Sequence, residues 1–123
     1  MKQEHKELLL RDLCARLPYG IKASYYGADE ECETWDEVDG VAFDYVEIGQ
    51  YSLPIERVKP YLFPISSMTE EQKNEYQYIT ERWMNDSSYS ISDSIDWLNK
   101  NHFDYRGLIE KGLAIEATGL SIY

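Results

Sequence analysis

The chain has 123 residues, enough for one hydrophobic core but not for two. A net charge of −11 argues against binding to nucleic-acid backbones or anionic membrane surfaces and favours basic protein partners. Hydrophobic content of 43% with 14% aromatics is that of a folded domain, so the acidity does not signal disorder.

No apolar run approaches the roughly 20 residues that a membrane helix needs. Met1 to Glu7 is charged, and Leu8 to Leu10 is followed at once by Arg11 and Asp12, which is no secretory segment. Cys14 and Cys32 form no CxxC motif, and both are read as reduced thiols. The expectation is a cytoplasmic protein of a single domain over 1–123.

Residues 3–16 read as an amphipathic helix. Leu9, Leu10, Leu13, Cys14 and Leu17 recur at three- and four-residue spacing, Arg11 and Asp12 fall on the wet side, and Pro18 ends the run. Residues 19–63 read as antiparallel strands. Gly20 to Tyr26 is a short β-rich run, and Asp39-Gly40 between Val38 and Val41 predicts a hairpin turn. That register puts Val38, Val41, Phe43 and Tyr45 on the core face, and Glu33, Trp35, Glu37, Ala42, Asp44 and Val46 on the other. Gly49-Gln50 predicts a second tight turn of type II′. Pro54 to Val58 reads as one helical turn and Lys59 to Phe63 as a last strand, a pattern like that of small SH3-like barrels.

Residues 64–123 read as mainly helical. Thr69 followed three residues later by Gln72 is a capping box opening a helix that runs to Met84, with Tyr76, Ile79 and Trp83 on one face. Asn85 to Ser90 is a polar loop. A second helix from Ser92 or Asp93 places Ile91, Ile95, Leu98 and His102 on one stripe. Asp104 is placed to cap a short helix over Tyr105 to Lys111 that Gly112 stops, and Leu113 to Ala117 is placed to add to the sheet. The fold class is therefore α+β: an N-terminal helix, a small antiparallel, SH3-like sheet, and a C-terminal helical half packed on it.

Three blocks carry a resemblance: Lys6 to Gly20 (KELLLRDLCARLPYG), Val58 to Glu71 (VKPYLFPISSMTEE) and Ile95 to Leu113 (IDWLNKNHFDYRGLIEKGL). Together they resemble a family of small uncharacterised proteins from Bacteroidales genomes, often found in phage-like or mobile-element regions. The resemblance implies a bacterial, cytoplasmic, phage-associated protein and brings no activity or binding residue with it.

Function turns on charge distribution. Between Lys22 and Arg57 stand ten carboxylates (Asp29, Glu30, Glu31, Glu33, Asp36, Glu37, Asp39, Asp44, Glu47 and Glu56) and no Lys or Arg. One reading is a solvated face. The other is a docking surface for a basic protein, built from Glu31, Glu33, Trp35, Glu37 and Asp44 with Trp35 as anchor. A narrower form is nucleic-acid mimicry, since alternate carboxylates on a strand repeat at about 6.6 Å. The acidic run lacks the spacing of a calcium loop, and no histidine or cysteine stands in a metal-binding motif. No cofactor motif is present, and neither a cofactor nor a metal is expected. The alternative is an enzyme built on the polar cluster His102, Asp104, Tyr105 and Arg106, which capping and helix packing explain as well.

Overall fold

A computed structural model describes residues 1–26, 33–85 and 91–123. Asp29, Glu30, Glu31, Cys32 and residues 86–90, where most of the polar loop was expected, lie outside the described residues, as do the side chains of Tyr26, Glu33, Trp83, Met84, Asn85 and Ile91.

Helix α1 (Gln3–Arg16) follows the leucine stripe: Leu9 and Leu13 are fully buried, and Leu8, Leu10 and Leu17 pack against the same cluster. Pro18 turns it into a 3-10 segment over Leu17–Tyr19, closed by Gly20 at φ +70. Two expectations about this helix are corrected. Cys14 is exposed, and Asp12, assigned to the wet side, is fully buried with Arg16. The two charged residues lie three and seven positions after Leu9, on the buried stripe itself.

Strands β1 (Lys22–Tyr26), β2 (Glu33–Ala42), β3 (Tyr45–Ile48), β4 (Tyr51–Pro54) and β5 (Val58–Pro64) follow. The sheet runs β4-β3-β2-β1-β5, with all neighbours antiparallel. β5 thus returns to pair with β1 after the 3-10 turn at Ile55–Arg57, which is the strand order of the expected SH3-like pattern. Two short strands run parallel to β5: β6 (Phe103–Asp104) and β7 (Ile115–Glu116).

The expected turn at Asp39-Gly40 is not where the chain reverses. β2 continues to Ala42, and the hairpin turns at Phe43-Asp44, with a bulge between Val38 and Gly40. This register opposes Val38 to Ile48 and Val41 to Val46. Val38, Val46 and Ile48 are buried and Val41 packs against them, so two apolar cross-strand pairs outweigh one favourable turn dipeptide. The extra residue of the bulge lets Val38 and Val41, three positions apart, both face inward. Phe43 and Tyr45, expected in the core, are 95% and 49% exposed. The second turn lies at Gly49-Gln50 as expected, but both residues have positive φ (+56 and +72), the type I′ pattern rather than II′.

Helix α2 (Glu70–Asn85) opens with the capping box: the Gln72 amide donates to Thr69 Oγ1 at 3.1 Å, and the Thr69 amide donates to Gln72 Oε1 at 2.9 Å. Helix α3 (Ile91–Lys100) ends at His102 in the left-handed region, φ +60. Met68, Trp97, Leu98 and Phe103 form a second cluster against Tyr76 and Ile79. The expected helix over Tyr105 to Lys111 is instead a string of turns, because Gly107 at φ +74 breaks it near its start. β7 forms where an added strand was expected.

Candidate functional site

Two sets of residues were singled out by the sequence, and the fold treats them differently. The first is on β2. Pairing with β1 opposes Trp35 to Ser24 and Glu37 to Lys22 on the sheet face away from α1, while Val38 turns inward. Trp35 is 46% exposed and Glu37 is exposed. Lys22 Nζ sits 5.3 Å from the Trp35 ring centroid and 5.6 Å from that of Tyr123, and donates to the Ile122 carbonyl at 2.9 Å. The indole is therefore braced on one side by a cation. Beyond the bulge the same face continues through Gly40 opposite Glu47 and Ala42 opposite Tyr45.

Of the five residues assigned to this surface, Trp35 and Glu37 are adjacent on one face, and Glu33 holds the next alternate position in the strand. Asp44 is not part of that group. It lies in the β2–β3 turn, on the order of 25 Å along the strand from Trp35. Glu31 lies outside the described residues.

The second set, His102 to Arg106, diverges. Asp104 accepts from the amides of Leu108 and Ile109, each at 2.9 Å, which caps the turn that follows. The Tyr105 hydroxyl donates to Asn99 Oδ1 at 2.9 Å. Arg106 donates to Asp12 Oδ1 at 2.7 Å. His102 stacks on Tyr123, ring centroids 4.0 Å apart, and its buried Nδ1 has no hydrogen-bond partner. Burial, and then the charges of Arg16 and Lys22, hold its pKa down to about 4, so it is neutral at physiological pH. Burial likewise pushes the Tyr123 hydroxyl up. That hydroxyl accepts from the Lys22 amide at 2.9 Å and donates to the Tyr61 carbonyl at 2.9 Å, tying residue 123 to the sheet. A cavity of about 250 Å³ lies nearby, lined by Phe63, Ser67, Thr69, Gln72, Phe103, Thr118 and Gly119, and none of the four clustered residues faces it.

What sequence reasoning missed is the charged network beneath this cluster. Arg16 Nε donates to Asp12 Oδ2 at 3.0 Å and Arg16 Nη2 to the Phe103 carbonyl at 2.6 Å, with both side chains fully buried. Arg106 supplies Asp12 with its second cation. The signal was present in the i, i+3, i+4, i+7 spacing of Leu9, Asp12, Leu13 and Arg16. Among the described residues no group of three or more His, Cys, Asp or Glu side chains is placed to hold a metal ion. No described helix is long and apolar enough to cross a membrane.

Compared with known proteins, the chain matches no family model, no curated protein and no solved structure.

Proposed function

We propose that the chain is a non-enzymatic binding protein that docks on a basic protein through the outer face of β1, β2 and β3. The observation that carries this is Trp35, a half-exposed indole with Lys22 over its ring and Glu37 beside it. Aromatic anchors set among polar residues dominate interface energetics. Residues 34–56 add Asp36, Glu37, Asp39, Asp44, Glu47 and Glu56 without one Lys or Arg, so a basic partner is drawn in from a distance. Trp35 stands at the alternate position between Glu33 and Glu37. The row therefore carries an aromatic anchor beside Glu37 rather than an unbroken phosphate-like run, which favours plain docking over nucleic-acid mimicry. The resemblance of three sequence blocks to phage-associated Bacteroidales proteins makes a bacterial cytoplasmic partner the natural one.

The test is retention of basic polypeptides by the immobilised protein at about 0.01 M and about 0.15 M salt, where the Debye length falls from about 30 Å to about 8 Å. The reading expects a basic polypeptide held more weakly at the higher salt. Glu37→Lys with Glu47→Lys should slow its association, and Trp35→Ala should speed its release. A retained set that ignores all three substitutions would sink the proposal.

A further inference from the structure

We infer that the β2–β3 hairpin tip is a plug whose Phe43 ring inserts into an apolar pocket, rimmed by Lys or Arg, on a basic protein. This rests on the docking reading above and adds a second anchor to Trp35. Phe43 is 95% exposed and has φ +56. That left-handed conformation is costly for a bulky side chain, and Gly, Asn or Asp would hold the same turn more cheaply. Two penalties, backbone strain and apolar exposure, thus fall on one residue, and among the described residues nothing offsets either.

The tip is also fastened. The Ile55 amide donates to the Asp44 carbonyl at 2.9 Å, so the ring is presented on a rigid support and loses little freedom on docking. Its surroundings set the charge of the occupant. Asp39, Asp44 and Glu47 are exposed on the same hairpin. Lys6, the cation that the Asp44 charge reaches, is already taken by Glu56 at 2.7 Å. A second copy of the chain is a poor occupant, since each copy carries −11 and the same acidic tip. A basic protein offers the complementary field, and its pocket removes the exposed ring from water.

The probe is the full chain with Phe43→p-benzoylphenylalanine, a photoreactive ring at the same position, irradiated in an extract of cells that make the protein. The same group at Trp35 reports on the sheet face, and at Tyr78, 58% exposed on α2, it serves as control. The plug expects position 43 to label a basic polypeptide that position 78 does not. Excess parent protein should compete the label away, whereas Phe43→Gly should need about tenfold more or worse. Phe43→Gly suits φ +56, so its urea midpoint should equal or exceed the parent's, which separates lost binding from lost fold. The inference is overturned if Phe43→Gly competes as well as the parent, if the labelled polypeptide is acidic, or if positions 43 and 78 label the same set. Labelling of a basic protein from position 35 alone removes the plug and leaves face docking standing. No label from either position removes both.

Discussion

His102 gives this fold a pH dependence whose sign and size follow from its surroundings. The residue is 7% exposed, and its Nδ1 has no hydrogen-bond partner. Tyr123 stacks on the ring, and Arg16 and Lys22 are the charges that act on it. Its pKa stands at about 4 against an ordinary 6.5. The unfolded chain therefore takes up a proton near pH 6.5 that the folded chain refuses until about pH 4. Stability is complete above the higher value and drains away as pH falls through that window. At about 1.4 kcal/mol per pH unit, the loss reaches about 2 kcal/mol by pH 5 and at most about 3 kcal/mol below pH 4. His102→Asn removes the titration, and Asn is among the residues that accept the positive φ of this position. Urea unfolding of parent and variant at about pH 7, 6 and 5 isolates the effect, because carboxylates common to both cancel in the difference. The parent should lose stability relative to His102→Asn as the solution is acidified. A difference that stays flat across this range, or that moves in the parent's favour in acid, would refute the reasoning.

Asp12→Ala should destabilise the fold by about 3–5 kcal/mol, because it strands the fully buried Arg16. Arg106→Ala should cost less, since that side chain is 16% exposed and Asp12 keeps Arg16; equal losses in urea melts would count against this ordering. Thr69→Ala removes one half of the capping box and should cost about 0.5–2 kcal/mol, checked by a shift in the urea midpoint at unchanged slope. Gly49→Ala places a Cβ against the Tyr25 hydroxyl at φ +56 and should lower stability by at least about 1 kcal/mol, with parental thermal melting as the contrary result.

The elements were legible wherever local pattern and tertiary demand agree. The leucine spacing and Pro18 bound α1, the Thr69–Gln72 pair opens α2, and the second glycine turn falls at Gly49-Gln50. They disagree at Asp39-Gly40. The dipeptide favours a turn, but turning there would forgo the pairing of Val38 with Ile48 and Val41 with Val46, and the chain keeps the pairs. The burial of Asp12 and Arg16 was hidden for a related reason. Charge alone points a side chain toward water, and what makes burial tolerable is the Phe103 carbonyl, 87 residues on, together with Arg106. Asp104 was rightly read as a capping carboxylate, but Gly107 leaves it a turn rather than a helix to cap.

The candidate surface divides at the same bulge. Up to Val38 the alternation of β2 does not depend on where the hairpin turns, so the exposure of Trp35 and Glu37 could be read from their positions alone. Past it, a misplaced turn exchanges the two faces of the following strand. Val46 and Ile48 take the core positions on β3, while Tyr45 goes to the outer face and Phe43 to the tip. Three aromatics, Trp35, Phe43 and Tyr45, therefore lie exposed on the hairpin that also holds Asp39, Asp44 and Glu47. Carboxylates alone would serve a merely solvating face. Such a face gains nothing from a phenylalanine held at φ +56 with its ring in water. The coincidence of strain, aromatic exposure and acidity on one rigid hairpin is what favours a contact surface over a solubilising one.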